Sequence, residues 1–229
     1  MNKSNNIYFF CIILFVSIIF SYIFSEDTLG GAKHDYDFHE KFIILFAEDF
    51  KNTFNNYGQG DLFARNSPVF YIFLSLFYKI GFDLDIIRYL NIISVFLLIY
   101  IFNDCLKIQF KKIKNSLLVL LSFVILLSPT IRSLVVWPYP ILYGFIFFLF
   151  AVKYFLKFVQ EKKDRINNAL KNTFFLALAS YITPNFSVFV IFFLYKFFIE
   201  FKNKKKIFYI LIFNLLLATP ALVYYLSLI

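Results

Sequence analysis

The feature that most constrains this chain is an alternation: long apolar stretches follow one another, divided by short clusters of lysine, and one long polar segment interrupts the series. Residues 7–24 carry no charge, and further apolar stretches cover 88–106, 115–131, 141–158, 172–183, 185–200 and 207–229. About 20 residues of helix cross the roughly 30 Å of hydrocarbon in a bilayer. The chain is 61% hydrophobic, well above the roughly 45–50% typical of soluble domains. The sequence therefore predicts an all-α, polytopic membrane protein in which residues 1–229 form a single transmembrane domain. Phe is abundant beside Ile, Lys and Asn while Trp and Met are scarce, a profile of AT-rich coding sequence that carries no functional weight. Cys11 and Cys105 sit in or at the end of apolar runs without partner spacing, and read as packing residues.

The charges orient the stretches. A net charge of +9 invites a nucleic-acid reading, yet the basic residues lie in short clusters between apolar segments, which set membrane orientation rather than bind a phosphodiester backbone. The run 67–81 is only about a dozen apolar residues long, short for a crossing. If it crossed, the clusters Lys107, Lys111, Lys112 and Lys114, then Lys162, Lys163 and Arg165, then Lys202, Lys204, Lys205 and Lys206 would all lie outside. Treated as membrane-embedded and non-crossing, it puts all three in the cytoplasm with Lys3. Seven crossings follow, with an uncleaved anchor at 7–24 favoured over a cleaved signal peptide. Residues 25–88 and 129–140 then face the outside. The reading places the protein in a bacterial inner membrane with a periplasmic loop. The chain stops inside an apolar stretch at Ile229, which fits a small enzyme or a truncated reading frame.

The polar segment holds the chemistry. Residues 25–66 carry eight acidic and four basic side chains, and His34-Asp35-Tyr36-Asp37-Phe38-His39-Glu40-Lys41 concentrates ionisable groups at the water boundary. From 38 to 54, Phe38, Phe42, Leu45, Phe46 and Phe50 recur at helical spacing opposite Glu40, Lys41, Glu48 and Lys51, which predicts an amphipathic helix in the interface plane. Asp37 followed by Glu40 has capping-box spacing. That gives Asp37 a structural reason and leaves Asp35, one step outside the predicted helix, without one.

The order of these features resembles the N-terminal half of the GT-C glycosyltransferases, polytopic enzymes that take sugars from polyprenyl-phosphate carriers. The resemblance rests on Asp35-x-x-Phe38-His39, the interfacial helix, Ser67-Pro68-Val69-Phe70-Tyr71, and Arg88 opening the next span. In that family an acidic pair precedes the aromatic-His element and a Pro-Pro-aromatic segment follows; here Tyr36 replaces the second acid and Ser67 the first Pro. The resemblance implies transfer of a sugar from a polyprenyl-phosphate donor to a lipid, glycan or protein acceptor, with membrane lipids as surroundings. It puts the catalytic carboxylate at Asp35, with Asp37 its neighbour candidate.

Residue chemistry points the same way. Such a transfer needs a base for the acceptor proton and cations for the leaving phosphate, for which His39, Arg65 and Arg132 are the candidates. No cofactor is required; a divalent cation on the histidines with Asp35 and Asp37 stays open, as some GT-C enzymes use one. Nothing resembles a P-loop, a dinucleotide fingerprint or a nucleophile elbow, so a lipid-linked donor is expected over a nucleotide sugar. The alternative class is a transporter or flippase of lipid-linked saccharides, which would place polar residues in broken helices at the midplane.

Overall fold

The computed structural model describes residues 3–27, 31–63 and 66–226. They form eleven α-helices: α1 (Lys3–Ile23), α2 (Ala32–Glu48), α3 (Phe50–Asn56), α4 (Val69–Lys79), α5 (Leu84–Gln109), α6 (Asn115–Val124), α7 (Pro129–Val136), α8 (Pro140–Gln160), α9 (Arg165–Ile182), α10 (Phe189–Glu200) and α11 (Lys204–Leu226). No strand occurs among the described residues. The chain divides into two compact units, residues 1–57 with 68–142 and residues 58–67 with 143–229.

Among the described residues, three helical stretches are long and apolar enough to cross a membrane: α5, α8 and residues Lys204–Leu222 of α11. A fourth arises if α6, its 3-10 extension and α7 count as one span, though the two parts meet at 75°. By length and apolar character the described residues thus provide three or four crossings, where the charge alternation reads seven. Large apolar side chains remain on the outside, among them Phe9, Ile12 and Phe20 on α1 and Leu215 and Leu216 on α11. Continuous apolar surface of this extent belongs against lipid rather than water.

Local sequence explains where the helices break. Ser128 accepts the Ile131 N–H at 3.5 Å, and Pro129 occupies the first turn of α7, so the chain restarts a helix where 115–131 read as one continuous span. Asn91 on α5 donates from Nδ2 to the carbonyls of Leu134 at 2.9 Å and Val135 at 2.6 Å, groups that the short α7 leaves unpaired at its end. Helix α4 has eleven residues, roughly 16 Å of rise and half a bilayer. It ends in a Schellman turn: Gly81 adopts φ 98°, its N–H reaches the Tyr78 carbonyl, and Phe82 N–H reaches that of Phe77.

In the second unit, α9 begins at Arg165 rather than 172 and runs eighteen residues to Ile182. Thr183 before Pro184 is extended, φ −136° and ψ 101°, as a residue preceding proline prefers, so the break expected there is present. A Cβ on Gly144 would lie 2.7 Å from Thr183 Oγ1, which is why a glycine stands at that approach of α8 to the turn. Asn172 donates to the Ala151 carbonyl at 2.8 Å, and Phe158, Phe193, Phe197 and Phe201 fill the space between α8, α9 and α10.

Candidate functional site

Helix α2 starts six residues before the sequence expectation. Asp37 does not cap it. The carboxylate of Asp27 does, accepting the N–H groups of Gly31 and Ala32, both at 2.9 Å, while Gly31 takes φ 132°, a region open to glycine alone. Capping by a side chain four and five residues upstream has no short-range spacing signature, so the Asp37-to-Glu40 pattern took its place. Asp35 consequently lies inside the first turn of α2, not outside the helix. The expected amphipathic helix also divides: α2 ends at Glu48, and Asp49 starts α3 by accepting the Asn52 N–H at 3.1 Å.

The buried stripe of α2 is Ala32, Tyr36, His39, Phe42, Ile43 and Phe46. Phe38 and Phe50, assigned to the apolar face by periodicity, are exposed. The face turns because α4 packs on α2 with Phe70, Tyr71 and Leu74, all buried, and their rings meet Phe42 and His39.

His39 is the centre of this packing. Its Nδ1 shares a 2.8 Å hydrogen bond with the Tyr71 hydroxyl, and its ring lies 4.7 Å from that of Tyr139, edge to face. Nε2 is buried with no hydrogen-bond partner among the described residues. Burial pushes the imidazole down from 6.5 to about 4, so at neutral pH it carries no charge. A neutral imidazole in an aromatic core is not the cation for a leaving phosphate. Sequence alone does not mark Tyr71 and Tyr139 as site residues; the aromatic-Pro segments that contain them are the signal it offers.

Asp35 and Asp37 are both exposed and leave α2 on different sides. Asp35 is one turn before His39, about 40° from it around the helix axis, and Asp37 is about 160° away. Glu40, which sequence reasoning passed over, has its carboxyl raised by burial and then by the charges of Asp37 and Asp85, with Arg88 opposing. Arg132 is held elsewhere. Its Nε and Nη2 grip Glu26 at 2.9 and 2.6 Å, Nη2 also donates to Ser21 at 2.6 Å and Nη1 to Ser17 at 3.2 Å. This two-pronged pair ties α7 to the end of α1, and with the two serines it takes four of the guanidinium's five N–H donors, which leaves no fork for a phosphate. Arg65 lies outside the described residues. Among the described residues, no three His, Cys, Asp or Glu side chains are grouped to hold a metal ion.

The neutral state of His39 has a measurable consequence. Below its unfolded value of 6.5 the unfolded chain takes up a proton that the folded chain refuses until about 4, so stability falls as pH drops through that window. The loss amounts to roughly 3 kcal/mol at most. Thermal unfolding in detergent should show this component in the native chain and lack it in His39→Gln.

No family model matches this chain, and no curated protein or solved structure does either.

Proposed function

We propose that the chain is a membrane glycosyltransferase of the GT-C kind, which moves a sugar from a polyprenyl-phosphate carrier to a lipid, glycan or protein hydroxyl on the outer face of a bacterial inner membrane. One observation carries the reading: His39, Tyr71 and Tyr139 meet in one aromatic core. The three segments that the sequence assigns to the outer side thus converge, with Asp35 at the exposed rim. Sidedness has independent support within the same unit. The 26-residue α5 spans about 39 Å, with Asp85 and Arg88 near Glu40 at its start and Lys107 in its last turn.

In this reading Asp35 takes the proton from the acceptor hydroxyl. The acceptor oxygen forms its bond to the anomeric carbon as the bond from that carbon to the phosphate oxygen breaks, and polyprenyl phosphate leaves with the electron pair. The full arrangement has seven crossings, with α1, α9 and α10 joining the longer helices, and α2 to α4 lying in the outer interface.

Topology is the test, because nucleotide sugars are made in the cytoplasm and an outward site excludes them as donors. Single cysteines are introduced at positions 37 and 112 in a chain lacking Cys11 and Cys105 and treated with an impermeant thiol reagent on whole cells. Position 37 should label and position 112 should not. Labelling at 112, or protection at 37 that persists in opened membranes, contradicts the reading.

A further inference from the structure

Arg88 is the counterpart of Arg132. Where Arg132 has oxygen partners on all three nitrogens, Arg88 has its Nε and Nη2 buried without hydrogen-bond partners among the described residues. Its guanidinium carbon lies 4.2 Å from the centroid of the Trp137 ring and 4.9 Å from that of Tyr22. The side chain is 14% exposed, and its hydrogen bond runs from Nη1 to Asp85 at 3.4 Å, a carboxylate 74% exposed one turn away on the same helix. A long contact with a solvated partner contributes little. Two aromatic faces hold the plane of the guanidinium, yet they supply no acceptor for its N–H groups.

A second cation stands close by. Lys33 Nζ lies 5.8 Å from the centroid of the same Trp137 ring. Asp37, Asp85 and Arg88 all act on Glu40 across this part of the surface, and Asp37 and Asp85 are open to water. The structure therefore keeps an under-coordinated planar cation near the start of α5, held between two aromatic rings.

We propose that Arg88, held between Trp137 and Tyr22 with Lys33 beside it, binds the phosphate of a lipid. The approach is along Nη1, where a phosphate oxygen replaces Asp85 and the fork of the guanidinium matches two oxygens of the ligand. The identification with a polyprenyl-phosphate carrier rests on the functional reading above. The anion chemistry itself is shared with ordinary acidic phospholipids, and the experiment separates the two.

Trp137 is the chain's single tryptophan, so its emission reports on this site directly. The purified full chain in phosphatidylcholine nanodiscs is titrated with polyprenyl phosphate, with the neutral polyprenol, and with phosphatidylglycerol. Polyprenyl phosphate should change the emission saturably and polyprenol should not. Arg88→Gln should raise the midpoint about tenfold or more, Arg88→Lys less because it keeps the charge and loses the fork, and Lys33→Gln about threefold. A phosphatidylglycerol midpoint equal to that of polyprenyl phosphate upholds the lipid-phosphate site while removing support for the glycosyltransferase reading. An equal response to polyprenol, or an unchanged midpoint in Arg88→Gln of native helix content, overturns the proposal. If Arg88→Gln does not fold, the comparison of phosphate with polyprenol on the native chain decides alone.

Discussion

Asp35→Asn is expected to lower sugar transfer by a factor of about 10² to 10⁴, the usual loss on removing a general base, with little change in expression or thermal stability. The side chain is exposed in the first turn of α2, so an amide of the same size disturbs no packing. A carboxylate in a first turn does favour the helix through its dipole, by about 0.3–1 kcal/mol, far too little to account for a hundredfold loss of rate. Asp37→Asn and Asp37→Ala should both be mild, because the helix start is secured by Asp27. Asp27→Ala, in contrast, should lower stability by about 1 kcal/mol, a typical loss for a capping side chain. Activity surviving in Asp35→Asn but lost in Asp37→Asn would transfer the role of base to Asp37 and the Glu40 side of the helix.

Breaking the Glu26–Arg132 pair is expected to produce the largest loss of stability. Both side chains are 21% exposed, so neither charge is fully hydrated once its partner is gone. Glu26→Ala strands the guanidinium between Ser17 and Ser21, and Arg132→Met takes the two-pronged cation away from the carboxylate; each should cost about 2–4 kcal/mol, approaching the range for buried pairs. The double variant should recover a large part of that loss, since removing both charges removes the stranded one. The Arg165–Glu200 pair at 2.9 Å serves as the comparison: its carboxylate is 46% exposed, and Glu200→Ala should cost at most about 1 kcal/mol. Thermal unfolding in detergent measures all four. Losses in Glu26→Ala and Arg132→Met no larger than in Glu200→Ala would return Arg132 to the set of residues free to hold a ligand.

These expectations show which parts of the molecule could be read from the chain alone. The break at Thr183-Pro184 and the shortness of 67–81 were legible, because proline geometry and apolar length act locally, whereas 115–131 read as one span and the break at Ser128-Pro129 inside it did not show. The rotation of α2 was not. Periodicity put Phe38 and Phe50 on the buried side, and the docking of Phe70 and Tyr71 decided for Tyr36, His39 and Ile43 instead. The same limit explains the arginines. Nothing short-range shows that Arg132 finds Glu26 across the fold, or that Arg88, with Asp85 one turn before it, lies between two aromatic rings. His39 stood out from its neighbours by residue type, but its neutral state follows from burial that only the packed structure supplies.

The most direct measurement is transfer of radiolabelled sugar from a polyprenyl-phosphate donor by the purified chain in detergent micelles. Micelles have no two sides, so a flippase does nothing measurable there while a transferase still breaks the bond between sugar and phosphate. The account predicts release of polyprenyl phosphate together with labelled acceptor, at a rate that falls about 10² to 10⁴-fold in Asp35→Asn. Equal turnover in the native chain and in both Asp35→Asn and Asp37→Asn, or none in the native chain across lipid, glycan and protein acceptors, would contradict it.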